Sequence, residues 1–202
     1  PNLAQVPASY SPYGKECREV WVVPKGKCLV GMDASGLELR MLAHYMNDEE
    51  YTNEVIHGDI HTANQMAAGL QSRDSAKTFI YAFLYGAGDE KIGSIVDGSR
   101  ADGKQLKAKF LDNTPSLRTL RERVGTASKR GYLKGLDGRK IWVRSKHSAL
   151  NTLLQGAGAI VMKKALTILE KSAIIEDIGY KFIGNIHDEI QTEVNDEQAT
   201  LF

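Results

Sequence analysis

Residues 28–34, CLVGMDA, make a short apolar run that closes on an aspartate. A run of this length bounded by turn signals reads as a buried strand, which puts Asp33 at a strand end. From residue 37 to 45 the apolar positions change to helical spacing. Two further helices are predicted over 57–70 and 73–85, parted by Gly69. The second stops at Gly86 and Gly88, which can take the left-handed conformation of a helix C-terminus. Residues 103–111 and 115–128 also read as helices. Residues 131–143 read as turn and strand, with Asp137-Gly138 as the hairpin signal. Residues 148–172 form a long amphipathic helix. The stretch KFIGNIHDEIQTEV, 181–194, alternates around a central HDE as a hairpin does, and Asn195 or Asp196 can cap a helix from Glu197. Strands and helices mix without βαβ regularity, so the expected fold class is α+β.

Composition narrows the picture. The 202 residues are 42% hydrophobic and 25% charged, which excludes a disordered chain, and a prior of roughly 150 residues per domain gives one or two domains. No uninterrupted apolar run approaches the ~18 residues of a membrane span, so a soluble, cytoplasmic protein without a transmembrane helix is expected. Cys17 and Cys28 have neither CxxC spacing nor a nearby His/Cys cluster, and read as reduced core thiols. PNLAQVPASYSPYG is no secretory signal and reads as internal sequence, and the C-terminal helix pattern is cut off after about a turn, so a fragment is expected. The net charge of +1 conceals an asymmetry: residues 104–144 hold twelve Lys or Arg against Asp112, Glu122 and Asp137. Such a block marks a polyanion binder, with the acids elsewhere free to hold metal.

Three local motifs compete for attention. GSRADGKQ, 98–105, matches the start of a phosphate-binding loop, but Gln105 stands where a magnesium-binding Ser or Thr is needed. GAGDEKIG after Tyr85 follows a helix instead of a strand and reads as a helix end. HGDIH offers His57, Asp59 and His61 to a transition metal if it is a strand, with His187 and Asp188 completing a phosphohydrolase site. Helical sequence follows Asp59, however, which makes it an N-cap.

The strongest constellation lies on the helix predicted from 73. Positions four apart stay on one arc, so Arg73, Lys77, Tyr81 and Tyr85 share a face, while Ala76, Phe79, Ala82 and Phe83 face the packing side. Two cations beside two phenols can bind the oxygens of a triphosphate and stack a sugar or base. Two aspartates, Asp33 and Asp188, sit at strand ends with apolar flanks. Brought together they repel unless divalent metal lies between them.

Read in order, GMDASGLELRMLAH, RDSAKTFIYAFLYGAG and NIHDEIQTEV resemble motifs A, B and C of family A DNA polymerases, closest to the replicative enzymes of short-tailed coliphages. PNLAQVP, HGDIHTANQ, KGLDGRK and ALNTLLQGAGA also resemble family segments, so the resemblance covers nearly the whole chain. It implies a right-hand polymerase fold, with palm over 1–45 and 146–202 and mostly fingers over 46–145, including a motif B helix at 73–86. It implies template-directed transfer of a nucleotide from a dNTP to a primer 3′-hydroxyl, assisted by two Mg²⁺ ions on Asp33, Asp188 and the carbonyl of Ala34. By the same resemblance Arg73, Lys77 and His61 meet the triphosphate, with the backbone of Ser35, Gly36 and Leu37 beside it. Glu38 is the steric gate against ribose. Tyr81 accounts for ready use of dideoxynucleotides, Tyr85 stacks near the templating position, and Gly86 leaves room for the template base. Asn151 and Gln155 face the primer-template minor groove, His187 contacts the primer terminus, and the basic residues of 104–144 meet DNA phosphates.

The resemblance also leaves a thumb, palm strands and any exonuclease segment unaccounted for, and the stretch 117–135 is shorter than in the coliphage enzymes. The implied partners are primer-template DNA, dNTPs, the missing polymerase segments in the same or a complementing chain and an unknown processivity factor, with no membrane. The alternatives are one half of a split polymerase, a non-catalytic DNA-binding fragment and, remotely, the HGDIH phosphohydrolase.

Overall fold

A computed structural model describes residues 6–7 and 9–201, so the first five residues of PNLAQVP lie outside the described residues. The chain divides into two compact units, residues 1–35 with 159–202 and residues 36–158. The helix following Asp33 and the first part of the long helix belong to the larger unit.

In the smaller unit a helix α1 (Gly14–Glu19) precedes β1 (Lys27–Asp33). The hairpin β4 (Tyr180–Ile186) and β5 (Glu189–Asn195) completes an antiparallel sheet of order β1-β5-β4. The strand period of two explains why β5 is central: Ile190, Thr192 and Val194 are buried on one face, and the Thr192 hydroxyl donates to the Val30 carbonyl at 3.1 Å. The register pairs Asp33 with Glu189 and Gly31 with Gln191. Residues 196–198 form a single 3₁₀ turn where the sequence pattern predicts a helix from Glu197. Cys17 and Cys28 are free thiols, and both are half-buried instead of core residues.

The larger unit is mostly helical: α2 (Leu37–Met46), α3 (Glu49–His57), α4 (Ile60–Ala68), α5 (Arg73–Leu84), α6 (Asp89–Gly93), α7 (Arg100–Asp112) and α8 (Pro115–Ser128). A short hairpin, β2 (Tyr132–Lys134) and β3 (Lys140–Trp142), turns at Asp137-Gly138 as predicted, and α9 (Ala149–Ile175) starts in this unit. Phe79, Phe83 and Phe110 meet at ring-centroid distances of 5.1–5.8 Å, two of the pairs edge-to-face. With Leu39, Leu42, Leu117 and Leu154 they form the core that fixes α5. Burial on this scale stabilises by about 1.5–3 kcal/mol per large apolar side chain.

Several sequence boundaries need correction. The helix predicted over 57–70 is shorter, α4 (Ile60–Ala68): His57 is the last residue of α3, Gly58 ends that helix, and the Asp59 carboxylate caps α4 by accepting the His61 N–H at 3.2 Å. HGDIH is therefore a helix–cap–helix junction, and the strand on which a phosphohydrolase site depends is not formed. Helix α7 begins at Arg100, where Ser99 and Asp102 form a reciprocal capping box, so GSRADGKQ is a helix start. Gly103 lies inside that helix because α6 passes so close that a Cβ there would stand 1.9 Å from the Asp89 carbonyl oxygen. GAGDEKIG, residues 86–93, follows the end of α5 and contains the whole of α6.

By length and composition alone, one helix among the described residues, Lys146–Ile175, is apolar enough to cross a membrane, a test that the core helix of a folded domain also passes. Some of its apolar positions pack in the fold, while Ile168, Ile174 and Ile175 are exposed. Leu150, Leu153 and Leu154 are buried in the core of the larger unit, and Met162 and Ala173 are also buried, while Lys163 and Lys164 interrupt the helix's apolar sequence at mid-length.

Candidate functional site

In the smaller unit, antiparallel register brings the two predicted aspartates together. Asp33 ends β1 opposite Glu189, the first residue of β5, and Asp188 is the residue before it. The Ala34 N–H donates to the Asp188 carbonyl at 2.9 Å, extending the ladder past both carboxylates. His187 holds the tight turn with φ 58°, a left-handed conformation that non-glycine residues rarely adopt. Among the described residues neither aspartate carboxylate has a hydrogen-bond or ion-pair partner. No group of three or more His, Cys, Asp and Glu there forms a metal cage. The oxygen donors available, two carboxylates and main-chain carbonyls such as that of Ala34, fit a hard cation such as Mg²⁺ that keeps several of its own waters.

The larger unit carries the cationic face. Ser72 caps α5 by accepting the Ser75 N–H, and burial of Ala76, Phe79, Ile80 and Phe83 directs Arg73, Lys77 and Tyr85 outward, with Tyr81 half-buried. Arg73 makes a two-point ion pair with Asp59, Nε to Oδ2 at 2.6 Å and Nη2 to Oδ1 at 3.0 Å. The Arg73 and Thr62 hydrogen bonds hold the Asp59 carboxyl well below the ordinary carboxylate range. His61 lies 6.2 Å from the Tyr81 ring, centroid to centroid, and its buried Nδ1 has no hydrogen-bond partner among the described residues. Desolvation, then the positive charges of Arg73 and Lys77, lower its pKa, so the imidazole is held neutral inside a cationic setting.

A second cluster of the larger unit joins three predicted residues. The Tyr85 hydroxyl donates to Glu38 Oε1 at 2.6 Å, and the Gln155 amide donates to the same oxygen and to the Tyr85 hydroxyl. Gly86 has φ 77°, and a Cβ there would meet the His147 carbonyl oxygen at 2.5 Å. Its immediate structural reason is thus close backbone packing. Gly36 caps α2 in a left-handed conformation ahead of Leu37, and Asn151 is half-buried on the first turn of α9.

Beyond Gly86 a cleft of about 840 Å³ is lined by Arg100, Lys107, Arg118, Arg121, Lys129 and Lys146, with Asp89 and Glu122 as its acids. Arg121 stacks 4.8 Å above the Phe83 ring, and burial pulls its pKa below the usual arginine value. Lys107 donates to the Ala87 carbonyl at 2.5 Å and pairs with Asp89 at 3.0 Å, tying α7 to the turn after α5. Four of these cations fall in the basic block 104–144; the sequence reading did not reach Arg100 and Lys146, which flank it.

The sequence model of DNA polymerase family A matches residues 1–202. The chain belongs to DNA polymerase family A. It is 47% identical to the DNA-directed DNA polymerase of Enterobacteria phage T3, over 98% of this chain and 33% of that protein. It is 46% identical to the enzyme of Escherichia phage T7 over the same shares. The DNA polymerase I of Lactococcus lactis is 28% identical over 96% of the chain and 25% of its own length. The chain thus spans about a third of the length of the phage polymerases it matches. The alignment to the T3 enzyme runs to 232 positions against 202 residues here, so that relative carries insertions. Among solved structures, the POL domain of Pol1 from M. smegmatis, in complex with DNA primer-template and dNTP, superposes with a TM-score of 0.86 at 22% identity, over all of this chain and 39% of that one. The family A fold is an α+β fold, and the sequence expectation on that point holds.

In family A terms, motifs A and C meet at the β1–β5 end of the smaller unit, and motif B is the α5 face of the larger. The sequence reading missed that Asp59 is Arg73's partner. The only signal available was an acid capping one helix and an arginine opening the next, and sequence spacing does not reveal that those two helix starts adjoin.

Proposed function

We propose that the chain is the palm and fingers part of a template-directed DNA polymerase, the smaller unit being palm and the larger mostly fingers. The single observation that carries this reading is the β1–β5 register, which sets Asp33 beside Asp188 in a chain of this family. Two Mg²⁺ ions held by Asp33, Asp188 and the Ala34 carbonyl would activate the primer 3′-hydroxyl and offset charge on the departing pyrophosphate. The chain's own residues bind and orient. Arg73 and Lys77 grip the triphosphate, and neutral His61 offers a hydrogen-bonding nitrogen without adding charge. Glu38, anchored by Tyr85 and Gln155, closes the space a ribose 2′-hydroxyl needs. Tyr81 supports incorporation of dideoxynucleotides. The cationic cleft beyond Gly86 holds template phosphates in a salt-sensitive, sequence-independent way. Asn151 and Gln155 read minor-groove acceptors, and His187 meets the primer end.

The test is single-nucleotide primer extension by the full-length polymerase that carries this chain. Asp33→Asn and Asp188→Asn are expected to abolish nucleotide addition while primer-template affinity survives. Normal turnover by either variant would sink the reading.

A further inference from the structure

We propose that Asp59 is a positioning residue that clamps the Arg73 guanidinium so that its outer edge is presented to the triphosphate. The inference rests on the reading that Arg73 is a triphosphate ligand. Its support is geometric. Asp59 engages Nε and Nη2, the side edge of the guanidinium. The remaining N–H groups lie along the Nη1–Nη2 edge, itself a fork that matches two oxygens of a phosphate. Arginine pairs with one anion on its side and keeps a second binding edge.

The carboxylate is itself held in place. Oδ1 also accepts the His61 N–H at 3.2 Å, and Oδ2 accepts the Thr62 hydroxyl at 2.7 Å. Asp59 is therefore fixed to the first turn of α4 by two contacts that do not involve Arg73, so its pairing imposes a direction on the guanidinium. The same helix start carries His61, whose imidazole faces the α5 residues Arg73, Lys77 and Tyr81. One helix start thus places both an imidazole and, through a carboxylate, an arginine fork. A flexible arginine would have to give up rotamer freedom on each binding event; a clamped one has already done so.

Asp59→Asn in the full-length polymerase separates the clamp from the cap, because asparagine caps helices about as well as aspartate but offers Arg73 a single acceptor oxygen. The expected result is a KM for dNTP raised about tenfold, the scale of a lost charged hydrogen bond, with kcat changed far less and primer-template affinity unchanged. In an Arg73→Ala background the same substitution should add nothing, since Asp59 acts only through that arginine. Thr62→Val, which loosens Oδ2 alone, should raise KM two- to threefold and serves if Asp59→Asn folds poorly. A wild-type KM in well-folded Asp59→Asn or Thr62→Val, a lowered KM, or a full additional penalty on top of Arg73→Ala overturns the clamp. If Arg73→Ala itself leaves KM unchanged, the triphosphate role of Arg73 falls and the clamp with it. A large Arg73→Ala effect with no Asp59→Asn effect sinks the clamp alone.

Discussion

The acidic end of the small sheet and the cationic face of α5 are assembled by opposite means. Asp33 and Asp188 are placed by backbone alone: strand register sets them side by side, the Ala34 N–H to Asp188 carbonyl bond continues the ladder, and their carboxylates have no protein partner among the described residues. Arg73, Glu38, Tyr85 and Gln155 are placed by side chains holding side chains. Under the proposed function, in which these carboxylates take a cation from solution, being left open is an advantage. Long flexible groups that must meet a ligand at a set angle gain from being tethered in advance. The difference predicts how each region fails, all-or-none for the first and graded for the second.

The largest effects are expected where nothing can substitute. Asp33→Asn or Asp188→Asn should lower kcat at least about a thousandfold, the scale of several kcal/mol of transition-state charge stabilisation, without a matching loss of DNA affinity. Lys77→Ala, on the graded face, should leave measurable turnover and show mainly as a higher KM for dNTP. Similar residual turnover in both variants would erase the distinction.

Next in size is Gly86→Ala. A methyl group at that position meets the His147 carbonyl oxygen at 2.5 Å and strains a φ of 77°, so about 1–3 kcal/mol of stability should be lost in thermal unfolding. Turnover should fall as well, because the turn it distorts also carries Tyr85. Unchanged stability would mean that the backbone of residue 147 yields readily, and that Gly86 is required only by the template base.

How much of this could be read beforehand depends on the kind of signal. CLVGMDA and NIHDEIQTEV announce strands by apolar runs and alternation, and the α5 face follows from four-residue spacing between Ser72 and Gly86. All three motifs lie where local pattern and tertiary packing agree. Helix α3 went unread because only Tyr51 of its nine residues is buried, which leaves no apolar stripe to count. The Asp59 cap was legible from the helical sequence that follows it, whereas Gly103 looked like a helix start until the passage of α6 against it explained it. The partners of Arg73 and Glu38 were illegible for a physical reason. Asp59 lies 14 residues from Arg73, and Gln155 lies 117 from Glu38; helix packing alone brings them together.

Removing a single tether from the graded region should have a modest effect. Tyr85→Phe deletes the hydroxyl that donates to Glu38 while leaving the Gln155 amide in place. One neutral donor to a charged acceptor is worth about 1–2 kcal/mol, so the preference for deoxy- over ribonucleotides should fall by roughly tenfold. If selectivity against ribose is unaffected, Glu38 is held well enough by Gln155 and the three-residue cluster is redundant.

The smallest effect concerns His61. Its folded-state pKa is lowered by desolvation and by Arg73 and Lys77, so the folded chain binds this proton less readily than the unfolded chain, whose histidine titrates near pH 6.5. Between the two values the unfolded state holds more protons, and stability therefore rises with pH across that window and falls as the solution is acidified below about pH 6.5. His61→Gln removes the titration and should flatten that part of the stability profile measured by denaturant unfolding at several pH values. A bound triphosphate sharpens the point. Its negative charge offsets Arg73 and Lys77, so saturating dNTP should move the imidazole pKa back up and shrink the slope in the wild-type polymerase, an effect absent in the glutamine variant. A slope that is the same with and without nucleotide would place the triphosphate away from His61.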